Sequence, residues 1–178
     1  MDQPALSRLI SEHGRFPATL QAVAAGLDDP MWRARETPER WSPLEIVRHL
    51  LDEEREDFLP RAKAAVAGGE FPSRINPQAW VTERAYNEAD PQETMAAFAA
   101  EREASCEWLR TLAPANLGKT LTAKDGFAMK AGDFVAAWRI HDLLHLRQIT
   151  AAIATLEARR LSPWQVDYAG DIPYLKEG

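Results

Sequence analysis

The chain has 178 residues, 46% of them hydrophobic, which is enough to bury a core without disulfides. Its 21 basic and 27 acidic residues leave a formal net charge of −6, so there is no basic field to recruit nucleic acid and no polybasic patch to hold a membrane. The single cysteine, Cys106, excludes an internal disulfide and a paired-cysteine redox or zinc site, and suits a reducing cytoplasmic compartment.

The opening MDQPALSRLI carries an acid at its second position, and no run of about 18 apolar residues occurs, so neither a secretion signal nor a membrane span is expected. One domain over 1–178 is the expectation.

Leu6, Leu9, Ile10, His13, Phe16, Leu20 and Val23 recur at helical steps and predict a first helix that stops near Gly26. Gly14 and Pro17 leave room for a break or kink in its middle. Residues 28–40, with two prolines and many charges, suit a connection.

Ser42-Pro43-Leu44-Glu45 has a capping serine, a proline where a missing N–H does not matter, and a glutamate that completes a capping box. A second helix is predicted from there to about Ala67, ended by Gly68-Gly69. Residues 70–89 form a long connection with Phe71, Trp80 and Tyr86, placed to close over one end of a bundle.

Asp90-Pro91-Gln92-Glu93 repeats the capping logic, and Met95, Phe98, Ala99, Arg102, Cys106, Leu109 and Leu112 continue a third helix to Pro114. A short hairpin is expected around Lys124-Asp125-Gly126. Asp133 then reads as the cap of a last, longest helix that ends near Arg160, with Phe134, Trp138, His141, His145, Gln148 and Ile149 near one stripe. The tail, with Pro163, Trp164, Tyr168, Pro173 and Tyr174, is expected to pack along the bundle. Four long amphipathic helices without strand periodicity or repeats predict an all-α four-helix bundle.

His141 and His145 lie four residues apart, so one helix face carries both within reach of one ion. The spacing alone more often marks two ordinary polar residues. Here both share an apolar stripe, where unpartnered imidazoles would be costly and coordination would satisfy one nitrogen on each. His49, in the apolar run Ile46 to Leu51, supplies a third nitrogen, and three ligands leave positions open for water or substrate. His13, beside Gly14, is read as a surface or rim residue outside the ligand set.

Two stretches carry a wider likeness: Trp41-Ser42-Pro43-Leu44-Glu45-Ile46-Val47-Arg48-His49-Leu50, followed by Asp52 and Glu54, and Ile140-His141-Asp142-Leu143-Leu144-His145-Leu146-Arg147-Gln148-Ile149. With them the chain resembles the DinB-like superfamily, particularly its DinB_2 and DUF664 branches. The resemblance implies a four-helix bundle in which His49, His141 and His145 bind nickel, zinc or a similar divalent ion. Members include thiol-dependent transferases and isomerases, so the family does not choose the reaction.

A three-histidine ion can acidify a water or thiol and polarise a carbonyl. Glu45, Asp52 and Glu53 lie one turn from His49, and Asp52 and Glu53 are candidates to orient an imidazole or accept a proton, although helix carboxylates commonly only solvate a face. Asp142 points away from His141 and suits a bond to a neighbouring helix, whereas Gln148 falls on the histidine side. Trp80, Tyr86, Trp138 and Trp164 could wall an apolar pocket, though such residues are more often core.

The expected function is a metal-dependent hydrolase or thiol S-transferase acting on a small molecule, with a low-molecular-weight thiol as a second reactant. The competing reading is a non-catalytic metal-binding or stress-response module whose bundle forms a homodimer, with the ion as a structural staple.

Overall fold

The computed structural model describes residues 2–172. Its helices are α1 (Gln3–Ala24), α2 (Asp29–Arg33), α3 (Pro43–Glu53), α4 (Leu59–Ala67), α5 (Pro77–Glu83), α6 (Pro91–Arg110) and α7 (Ala131–Arg160). The four long arms of the bundle are α1, α3 continued into α4, α6 and α7. Local chemistry sets their starts: Asp2, Ser42 and Asp90 each accept from a backbone N–H three residues on. Ser42 and Glu45 complete the predicted capping box, and Gly68 (φ 71°) closes α4 in the left-handed conformation.

Asp133 is not the cap of α7. The helix begins two residues earlier, and Asp133 accepts from the Lys130 N–H as the third residue of the first turn. The expected hairpin is present as strands β1 (Thr120–Thr122) and β2 (Ala128–Lys130), antiparallel with Leu121 opposite Met129. Gly126, at φ 87°, makes its turn.

Helix α1 runs through Gly14 and Pro17 without a break. Proline cannot donate to the carbonyl four residues back, which belongs to His13. Arg102 of α6 donates to that carbonyl instead, at 3.2 Å, so the helix loses no buried partner. Between α3 and α4 a single π turn covers Glu54–Phe58. It lies where Pro60 can give no bond to the Glu56 carbonyl, and widening the helix there relieves the ring's pressure on it.

The apolar core falls into two clusters. One gathers Leu6, Ile10, Phe58, Ala62, Leu109 and Trp138, the other Phe16, Leu20, Leu44, Leu51, Phe98 and Ile149. Between them a buried polar network draws on every arm, through His13, Glu54, Arg102 and Asp142. Arg102 grips Asp142 with two nitrogens, at 2.8 and 2.9 Å, and donates from Nε to both Glu54 oxygens at 3.0 Å. Trp138 Nε1 also donates to Glu54. Burial works against an ionised Asp142, yet Arg102 and His13 hold its carboxyl below the ordinary range.

Beyond α7 the tail folds back only in part. Residues 161–172 are exposed except for Val166 and Ile172, and Trp164 stands 78% exposed, because aromatic content signals burial only on average. Pro173 and Tyr174 lie outside the described residues. No described helix is long and apolar enough to cross a membrane.

Candidate metal centre

His49 projects from α3 and is buried, while His141 and His145 sit one turn apart on α7, half-buried. Their Nε2 atoms converge: His49 lies 3.2 Å from His141 and 3.1 Å from His145, and the α7 pair is 3.1 Å apart. The capping box anchors the start of α3, and Arg35 binds the same Glu45 from outside.

His145 Nδ1 faces Gln148 Oε1 at 2.8 Å, so Nδ1 carries the proton and Nε2 offers a lone pair to the centre. Burial, then the neighbouring imidazoles, push His49 down to about 2. Burial and His145 push His141 down to about 4, and burial lowers His145 as well. All three are therefore neutral near pH 7, the form that binds metal. Lone pairs this close oppose one another unless a cation lies among them. Three nitrogens at ~2.0–2.1 Å from one ion would stand about 3.0–3.4 Å apart, so the cluster fits a divalent ion.

Trp41 and Phe58 flank the cluster. The Trp41 ring lies nearly parallel to His145, 7° between planes with centroids 6.3 Å apart, and 4.9 Å from His49. Phe58 lies 5.0 Å from His141 on the other side. Neither was singled out as a site residue in the sequence. The signal for Trp41 was its place directly before the capping box, where an apolar residue fixes the entry of the helix.

The two carboxylates named with the histidines go to different places. Glu53 Oε1 is 3.9 Å from His49 Nδ1, a nitrogen that is buried without a hydrogen-bond partner. Burial and Asp57 push the Glu53 carboxyl up to about 8. Asp52 is engaged elsewhere: its Oδ2 accepts from the Tyr86 hydroxyl and from Arg84, both at 2.7 Å. That pair ties the long connection of residues 70–89 to α3.

Glu53 and Phe58 also border a cleft of about 1190 Å³ lined by the start of the long connection, the hairpin and α7. Its aromatic wall is Phe58, Phe71, Phe127 and Phe134. The aromatic residues weighed as pocket wall or core do not line it: Trp80, Tyr86 and Trp138 are core, the commoner role for such residues, and Trp164 is exposed. His13 is not on the rim; it is fully buried, 3.6 Å from Asp142 and packed on Trp138. Asp142 bonds a neighbouring helix, as its position on α7 suggested.

A model of the DinB superfamily matches residues 13–149, most of the chain, and the protein belongs to that superfamily. In structure it is similar to YfiT from Bacillus subtilis, described as a probable metal-dependent hydrolase with an unusual four-helix bundle topology. The TM-score is 0.78 at 18% identity, over 93% of this chain and 91% of that one. It is also similar to the mycothiol-dependent maleylpyruvate isomerase, with a TM-score of 0.61 at 12% identity, over 85% of this chain and 68% of that one. At these identities the likeness establishes the fold. No curated protein matches the chain in sequence.

Proposed function

We propose that this DinB-superfamily chain is a divalent-metal-dependent enzyme, of hydrolase or thiol S-transferase type, that acts on a small molecule at His49, His141 and His145. Nickel or zinc is the proposed ion. The observation that carries the reading is the convergence of three neutral Nε2 atoms within 3.2 Å of one another, with two of the three residues only partly buried. A structural staple would be expected to close all its positions with protein ligands, whereas three ligands leave room for a reactant.

The chemistry an ion supplies in such a place is Lewis acidity, which acidifies a water or thiol and polarises a carbonyl oxygen. The protein's own groups do the rest. Gln148 holds the His145 tautomer, and Trp41 and Phe58 keep bulk water from the flanks of the rings. Glu53 is the proposed proton-transfer group: its carboxyl, raised to about 8 and so mostly protonated near pH 7, sits beside His49 and borders the cleft, donating a proton first and accepting one once ionised. Asp52 supports the site by holding Tyr86 and Arg84. The likeness to a mycothiol-dependent isomerase supports a low-molecular-weight thiol as one reactant, and the lone buried Cys106 suits a reducing, cytoplasmic setting.

The test is turnover of an activated acetate ester, and separately the consumption of a small thiol in the presence of an alkylating electrophile. At least one reaction should need nickel or zinc, stop with chelator, and fail in His141→Ala. Rates no faster than those of the free ion would favour a non-catalytic module. That second reading draws on one observation: Ile140, Leu143 and Leu144 stand exposed on the outer face of α7, an apolar patch a homodimer would cover.

A further inference from the structure

Four phenylalanines from four separate elements meet along one side of the cleft. Phe71, in the long connection, packs edge-on against Phe127 of the hairpin at 6.1 Å and against Phe134 of α7 at 6.2 Å. Phe58 continues the row toward the histidines, with one ring contact to His141. Phe127 stays 53% exposed at the mouth. It is held there by the turn, whose Asp125 carboxylate accepts its N–H while its carbonyl accepts from Ala123. The aromatic wall thus ends at Phe58, one ring contact from His141; the histidines lie behind that ring and do not themselves line the cleft, which is large enough for a drug-sized molecule.

Of its three cations two are already paired with acids, while Lys124 and the acid Glu70 line it as exposed residues of opposite sign. Arg61 is bound to Asp57 and lies over the Phe71 ring, and Arg74 faces Asp125 at 3.6 Å. Those cations meet acids within the cleft wall, so what an incoming molecule gains there is burial of apolar surface and contact with aromatic faces.

We propose that this cleft binds the aryl or similarly apolar body of the substrate, with Phe71 and Phe127 as its specificity-determining residues, and presents the molecule's polar end to the histidine cluster. The assignment of the polar end rests on the metal reading; the apolar site itself does not.

The experiment compares imidazole with phenylimidazole on cobalt-loaded protein, followed through the visible bands of the ion. Phenylimidazole should bind about tenfold tighter or better, as expected from burying one ring. That preference should fall toward unity in Phe71→Ala and Phe127→Ala, neither of which removes a fully buried side chain. Equal affinities, or a preference that survives both variants, would overturn the proposal while leaving the metal site standing. The same ligand is also followed on metal-free protein by saturation-transfer NMR. If cobalt does not bind, the metal reading fails, and transfer to the phenyl protons that is lost in the two variants still supports the cleft. Absence of transfer in the wild type refutes it.

Discussion

Gln148 Oε1 lies 2.8 Å from His145 Nδ1, one turn farther along the same helix. The bond decides which nitrogen of His145 turns inward, and so makes Gln148 part of the centre without touching an ion. Partners of this kind typically carry 10–100-fold in metal affinity. Gln148→Leu, which keeps the bulk and removes the acceptor, should weaken zinc or nickel binding by about tenfold. Competition against a chromophoric chelator measures it, and thermal unfolding should move little by comparison.

Arg102 is the only guanidinium among the four buried polar residues that separate the two core clusters. Arg102→Met would leave Glu54 and Asp142 facing each other in the interior. A loss of about 3–5 kcal/mol is expected at neutral pH, readable as a fall in the urea midpoint. A smaller loss is expected when Glu54→Gln and Asp142→Asn accompany it, because the uncompensated charges go with the arginine.

Tyr86→Phe separates support from chemistry. It removes the hydroxyl that donates to Asp52, leaving Arg84 as that oxygen's donor, and should cost about 1–2 kcal/mol of stability. The metal stoichiometry should stay the same. A variant that unfolded no sooner but lost its ion would place Asp52 closer to the centre than its hydrogen bonds do.

The metal-free protein should lose stability on mild acidification. The three imidazoles have folded values below the unfolded value near 6.5, with His141 at about 4 and His49 at about 2. As pH falls below 6.5 the unfolded chain takes up protons that the folded chain refuses. Each group then costs about 1.4 kcal/mol per pH unit until its folded value is reached. Denaturant midpoints between pH 7 and pH 4.5 should therefore drop more steeply for the wild type than for His141→Gln.

The helices were legible because their signals are local. Ser42 with Glu45, Asp90, and the Gly68-Gly69 stop each act within a few residues, and the capping and periodicity rules read them directly. The three histidines were legible because two share a helical turn and the third stands in an apolar run. What escaped depends on partners distant in sequence. His13 looked like a rim residue because nothing near it announces Arg102 or Asp142, which bury it. Pro17 looked like a break because the donor that replaces its missing N–H comes from another helix. The cleft's phenylalanines come from a π turn, a loop, a hairpin and a helix, and no single window of sequence holds them. Trp80, Tyr86 and Trp138 carry more aromatic surface and went to the core instead.

The most direct measurement is the metal content of protein purified without an affinity tag, wild type against His145→Ala, by elemental analysis, with circular dichroism to verify that both are folded. About one ion per chain in the wild type, lost in the variant, is the predicted result. No ion in either, even after nickel or zinc is added, would contradict the account and leave a helical bundle whose three histidines meet for another reason.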